Sequence, residues 1–382
     1  MKILITSDLY FTATNGVVTS IRNLSDELTR RGHDVRILTL SNREASYREG
    51  AVYYVRSAPF GVVYPDVRVS MAYKSHLIKE LIAWKPDIIH SQCEFSTFSF
   101  ASFIAKRTGA PLVHTYHTMY EDYVGYVTPL IGFGKAVIKG FTRFRLNRTQ
   151  AVIAPTKKVE QLLKRYEIRT PITVIPSGIS LEAHKKAIDS EALLEKKRTL
   201  GIATDAPVMI NLGRLGTEKN VNELLTLFTK AKEKHPTLIF LIVGDGPARE
   251  ALQKQAREQG IADAVIFTGM VKPTEVHFYY RLGDVFVSAS TSETQGLTYL
   301  EATANGLPLV CRDDPCLDGI IDEGENGFAY RTEEDFLAAI DKVITDPFWR
   351  SSAKARSLSI AALHDKVYFG DQVERVYRSL LK

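Results

Sequence analysis

Short apolar runs rich in β-branched residues recur along the first half of the chain, at residues 3–6, 35–40, 87–90, 111–114 and 151–154. Runs of this length without polar alternation predict parallel strands buried on both faces. Between them, apolar positions repeat at helical spacing over 17–31, 73–84 and 97–107, and Gly32 and Gly109 close the first and last of these segments. A charged stretch follows Ile175-Pro176-Ser177-Gly178. The alternation then restarts, with strands expected at 208–212, 238–243, 265–268 and 285–288.

Repeated strand–helix alternation in two blocks predicts an α/β protein of two doubly wound, Rossmann-like domains. The boundaries fall at 1–176 and 177–364, with Pro and Gly near 177–180 suited to a hinge. A last amphipathic helix over 365–382 needs a partner surface and is expected to pack back on the N-terminal domain. In open sheets of this kind ligands sit beyond the carboxyl ends of the strands, so a cleft between two facing sheets is the expected site.

Composition narrows this picture only in places. A chain of 382 residues that is 45% hydrophobic fits two globular domains. No run approaches the roughly 20 apolar residues of a membrane span. Three cysteines, Cys93, Cys311 and Cys316, are too few for a disulfide framework and lack the paired spacing of a zinc site, so a reducing cytoplasm is expected. The net charge of +5 hides an asymmetry: residues 1–170 carry 24 Lys and Arg against 14 Asp and Glu, which leaves −5 for the remainder. A basic half can attract nucleic acid, anionic lipid or a phosphorylated substrate. No nucleic-acid readout motif accompanies it, so no nucleic-acid partner is expected.

The chemistry concentrates at strand ends. After the strand at 285–288 comes Ser290-Thr-Ser-Glu293-Thr-Gln295-Gly296-Leu297-Thr-Tyr-Leu-Glu301. Amides at a helix start near Gly296 and Leu297 can bind a diphosphate, and Glu293 and Glu301, eight residues apart, can accept bonds from sugar hydroxyls. The plainer alternative makes Glu293 a capping group and Glu301 part of a solvated face. After the strand at 208–212, Gly213-Arg214 and Lys219 place two cations five residues apart, able to neutralise a diphosphate or simply to pair with Glu218 or Glu223.

These motifs together resemble retaining glycosyltransferase family 4, and the resemblance covers nearly the whole chain. It implies the GT-B fold of two facing Rossmann-like domains and metal-independent transfer from a nucleotide sugar, which is a substrate, with no cofactor. It also implies that Arg214 and Lys219 hold the donor phosphates, Glu293 the transferred sugar and Glu301 the ribose. Gly213, Gly244, Val271 and Lys272 would line the nucleotide pocket, and His117, after the strand at 111–114, would contact the donor sugar. Gly16 would let backbone approach the phosphates, beside Asn15 where many members have a second glycine. The adjacent Asp313-Asp314 lack D-x-D spacing, so no metal ligands are expected.

The strings His117-Thr-Met-Tyr-Glu-Asp-Tyr and Ser292-Glu-Thr-Gln295-Gly-Leu-Thr-Tyr are similar to those of diacylglycerol glucosyltransferases, which use UDP-glucose. Tyr120, Tyr123 and Tyr126 precede a segment in which Phe133, Val137, Phe141 and Phe144 share one helical face and Lys135, Lys139 and Arg143 lie opposite. Such a helix suits an anionic membrane surface. The expected function is transfer of glucose to diacylglycerol at the inner face of the cell membrane. Another lipid or a soluble glycan as acceptor, or nucleotide-sugar or lipid-surface binding without turnover, stands as the alternative.

Overall fold

A computed structural model describes residues 1–10, 16–60, 68–123, 131–184 and 188–381. The chain divides into two compact units, Met1–Gly178 with Lys366–Lys382, and Ile179–Asp365.

The first unit holds an eight-stranded sheet. Its strands are β1 (Lys2–Ser7), β2 (Asp34–Leu40), β3 (Tyr47–Glu49) and β4 (Val52–Val55), and, beyond the small antiparallel pair β5 (Ala58–Pro59) and β6 (Arg68–Val69), β7 (Ile88–Ser91), β8 (Leu112–Thr115), β9 (Ala151–Ala154) and β10 (Ile172–Val174). The order is β10-β9-β8-β7-β1-β2-β4-β3, parallel throughout except for β3 against β4. Successive side chains alternate across the sheet. Leu4, Leu38, Ile89 and Val152 therefore enter one core, and Ile3, Ile5, Ile37 and Ile153 the other.

Helices α1 (Gly16–Arg30), α2 (His76–Trp84), α3 (Ser96–Thr108), α4 (Ile131–Leu146) and α5 (Lys157–Arg165) belong to this unit. The expected helix at 73–84 starts three residues late because the Ser75 hydroxyl accepts a bond from the Leu77 amide and caps it there. The C-terminal helix, Lys366–Leu380, lies in the first unit. It buries Phe369, Val373 and Tyr377 against the core that holds Ile21, Leu24 and Leu28 of α1. Tyr377 Oη sits 2.6 Å from His90 Nδ1, and Gly370 leaves room for the buried Glu27.

The second unit is built on β11 (Val208–Leu212), β12 (Ile239–Val243), β13 (Val265–Phe267), β14 (Val285–Ser288), β15 (Leu309–Arg312) and β16 (Gly327–Tyr330). All are parallel in the order β13-β12-β11-β14-β15-β16. That is the 3-2-1-4-5-6 arrangement of a doubly wound sheet, whose order reverses between β11 and β14. Helix α6 (Leu297–Ala304) follows β14, and both sheet faces are covered by apolar cores. No helix among the described residues is long and apolar enough to cross a membrane.

Candidate active site

In the second unit three loops leave the carboxyl ends of β11, β12 and β13 and stack backbone on backbone. Gly213 N–H donates to Val243 O, Leu215 N–H to Asp245 O and Gly244 N–H to Gly269 O, at 2.9, 2.9 and 3.0 Å. Gly244 has φ +137°, and a Cβ there would lie 1.9 Å from the Gly213 carbonyl oxygen. Only glycine permits that approach. The expected pocket residues Gly213 and Gly244 thus share one layer, with the half-buried Val271 and the exposed Lys272 on the next loop.

The loop after β14 is tied to the loop after β11. Asn220 Nδ2 donates to Ala289 O at 3.2 Å, and Ser292 Oγ to Glu218 O at 3.3 Å. These ties bring Lys219 Nζ to 2.6 Å from Glu293 Oε1, an ion pair between two partly buried side chains. Arg214 forms an ion pair with Glu218, whose side chain is nearly buried, so the pairing partner weighed from sequence is the one observed. Gly296, at φ +72°, caps α6 without a side-chain hydrogen bond, and Leu297 opens the helix.

Glu301 is placed elsewhere. One turn into α6, it accepts a 3.0 Å bond from Tyr280 Oη of the buried Tyr280. Burial pushes its carboxyl up to about 7 and the tyrosine bond opposes that rise. The solvated-face alternative for Glu301 is thereby removed.

In the first unit the polar groups again gather beyond strand ends. His117, two residues past β8, places Nε2 2.7 Å from Gln92 Oε1. Burial, reinforced by His114, pulls His117 down to about 3, so the ring is neutral at pH 7. Glu94 accepts from the Tyr120 hydroxyl and lies 3.1 Å from His114 Nε2. Asp8, one residue past β1, accepts the Thr97 amide at 2.9 Å, and its carboxyl is pushed up to about 6 by burial.

The family description "Glycosyltransferase Family 4" matches residues 14–183, and "Glycosyl transferases group 1" matches residues 194–362. Over 380 residues the chain is 35% identical to alpha-monoglucosyldiacylglycerol synthase of Streptococcus pneumoniae, covering 99% of this chain and 85% of that protein. The chain belongs to glycosyltransferase family 4. The protein of the same name from Acholeplasma laidlawii is 31% identical, over 91% of this chain and 89% of its own. Among solved structures, Anabaena HepE in complex with UDP and glucose superposes with a TM-score of 0.79 at 18% identity, covering 99% of this chain and 100% of that one. The two parallel-sheet domains of this family 4 glycosyltransferase are those of the GT-B fold.

Against the positions expected from sequence, the glycosyltransferase stacks the loops of Gly213 and Gly244, pairs Lys219 with Glu293 and holds Glu301 on Tyr280, all in its second unit. Gly16 opens α1. Asn15, Tyr126 and the side chain of Tyr123 lie outside the described residues. Asp8, Gln92, Glu94 and His114 were not singled out from sequence. Their signal was available, since three of them lie within three residues of a strand's carboxyl end and His114 on the strand that leads to His117.

Four of the residues expected at a membrane or acceptor surface have protein partners. Tyr120 turns inward onto Glu94 and packs edge-on against Phe95, with ring centroids 5.5 Å apart. Phe141 stacks on Phe95 at 5.6 Å and so leaves the outward apolar face. Lys139 and Arg143 both pair with Glu167, at 2.7 and 2.6 Å, because α4 docks beside the turn that follows α5. Phe133, Val137 and Phe144 remain exposed on one face, and Ile131 and Lys135 are exposed on the opposite side of the helix.

Proposed function

We propose that this chain transfers glucose from UDP-glucose to the free hydroxyl of 1,2-diacylglycerol, with retention of the α configuration and without a metal ion. The observation that carries the reading is the 2.6 Å pair of Lys219 and Glu293 beyond β14. It sets a cation and a hydroxyl-accepting carboxylate side by side where the sheet order reverses. Lys219 and Arg214 would take the charge that builds on the departing diphosphate, and Glu293 would hold the sugar hydroxyls. Glu301 would accept from the ribose, and His117 would contact the donor sugar.

The bond from the sugar C1 to the phosphate oxygen breaks as a bond to the acceptor oxygen forms on the same face. The acceptor proton passes to the departing phosphate. The chain's own contribution is position and fixed charge. The acceptor is supported by the names of the two bacterial relatives and by the apolar ridge of Phe133, Val137 and Phe144 on α4, which suits the boundary of a lipid surface.

The test is incubation of the protein with UDP-glucose, UDP-galactose and UDP-N-acetylglucosamine over diacylglycerol vesicles containing anionic lipid, with and without chelator. The expected result is α-monoglucosyldiacylglycerol from UDP-glucose, at a rate the chelator does not change. A β-linked product would refute retention, and loss of turnover in chelator would refute metal independence. Product only from an inositol or polyprenyl lipid would move the acceptor.

A pH dependence follows from Glu301. With its carboxyl near 7, raising pH from 6 to 8 ionises it and strengthens its acceptance of a ribose hydroxyl, so UDP affinity should rise over that interval. Tyr280→Phe removes the opposing bond and pushes the carboxyl higher. Calorimetric titration should therefore show the variant binding UDP several-fold more weakly than wild type at pH 7, with the gap closing above pH 8. The phosphate's own titration is common to both proteins and cancels. An equal gap at every pH would remove the ionisation of Glu301 from the account.

A further inference from the structure

A cavity of about 900 Å³ lies in the first unit, between α3, the end of α4 and the turn into β8. It adjoins the start of β8 and is bounded on the side of the Glu94 and His114 cluster by Phe98, whose ring packs against His114 with centroids 5.6 Å apart. Tyr73, Phe98, Phe103 and Leu380 give it apolar walls.

Its polar lining is one-signed. Lys106, Arg145 and Arg148 all border it, and no Asp or Glu does. Lys139 and Arg143 share the single carboxylate of Glu167, whereas Arg145 and Arg148 form no ion pair among the described residues, although the charges of Asp8 and Glu94 act on Arg145. Arg145 is instead held over the rings of Phe98 and Phe141, 5.3 and 5.2 Å from their centroids. Its Nε is buried with no hydrogen-bond partner, and so is Ser102 Oγ. Unsatisfied buried donors of this kind are costly unless a ligand takes them up.

Arg148 lies 3.6 Å over the ring of Phe144, and Phe144 is part of the exposed apolar ridge of α4. The cavity's cationic edge is thus continuous with the ridge. We propose that this cavity binds a lipid phosphomonoester, its phosphate on Arg145, Arg148 and Lys106 and its acyl chains along Phe98, Phe103 and Leu380. The lipid origin rests on the membrane placement of α4 proposed above. A phosphomonoester carries nearly two charges at pH 7, which suits three cations better than the single charge of a phosphodiester. The same lipid without its phosphate is the proposed acceptor, so charge alone would sort the two forms between this cavity and the active site.

The test uses short-chain lipids below their micelle concentration, so that no membrane is involved. Calorimetric titration of the full chain with dihexanoyl phosphatidic acid should show saturable binding, at least tenfold tighter than dihexanoyl phosphatidylcholine or inorganic phosphate. Arg148→Glu, at an exposed position, should weaken it tenfold or more, and so should Arg145→Gln with an unchanged circular-dichroism spectrum. Phe133→Asp, on the ridge, should abolish vesicle binding yet leave the soluble lipid bound, which separates failure of the membrane placement from failure of this site. Equal affinity for phosphatidylcholine, for phosphate alone, or in Arg148→Glu would overturn the proposal.

Discussion

Replacing Lys219 with methionine is expected to lower the rate of sugar transfer by about 10²–10³-fold, the loss typical of removing one preorganised charge-stabilising group. The side chain is three-quarters buried and its Nζ lies 2.6 Å from Glu293 Oε1. The substitution keeps the length of the stem while removing the only charge that turnover needs from it, and the melting temperature should stay within a few degrees of wild type. Glu293→Gln should cost a comparable factor. If the two act as a unit on leaving group and sugar, the double variant will be little worse than either single one, because effects of residues acting together are not additive. Turnover measured with UDP-glucose and diacylglycerol decides the matter. Near-normal rates in both single variants would leave the pair a structural ion bridge and remove the centre of the proposed mechanism.

Gly244→Ala is expected to destabilise the second unit by about 3–5 kcal/mol, in the range of the severe, mechanistically identifiable point mutations. The new Cβ would fall 1.9 Å from the Gly213 carbonyl oxygen, a backbone atom that no rotamer change can move aside. It would also demand φ +137° of a residue with a side chain. The loop after β12 would have to part from the loop after β11, breaking the bonds from Gly213 to Val243 and from Leu215 to Asp245. Thermal unfolding should show a drop of roughly 10 °C in the transition of this unit, and UDP binding should be lost with it. An unchanged transition would mean the loops tolerate separation and that their stacking does not organise the pocket.

Much of the fold was legible because its signals are local. The apolar runs at 3–6, 35–40, 208–212 and 285–288 became β1, β2, β11 and β14 because a parallel strand buried on both faces must be apolar throughout. Among the strands that escaped, β3 and β10 are three residues long, lie at the two edges of the first sheet and mix polar with apolar residues, as in Tyr47–Glu49 and Ile172–Val174. The donor motifs were legible for a related reason, since strand ends and helix starts can be read from sequence and in a doubly wound sheet such junctions carry the ligand.

The helix from Ile131 to Leu146 marks where local reading ends. Its periodicity gave an apolar face and a basic face, and either face could have met solvent or protein. Packing divided them differently. Phe141 was taken by Phe95, Lys139 and Arg143 by Glu167, and the arginines nearest the helix end were left lining a cavity. None of those partners is a neighbour in sequence.

The sequence by itself therefore determined the two α/β units, the junctions at which chemistry collects and the family to which the chain belongs. Each of these depends on residues a few positions apart, whose periodicity and turn chemistry act without reference to the rest of the chain. Only the tertiary structure decided that Lys219 and Glu293, 74 residues apart, form a pair, and that Glu301 is held by Tyr280 with a carboxyl near neutrality. It also decided which residues of the C-terminal helix, Phe369, Val373 and Tyr377, enter the core of the first unit. Those outcomes depend on which strands lie side by side and on what water is excluded, and both are set only when the sheets are assembled.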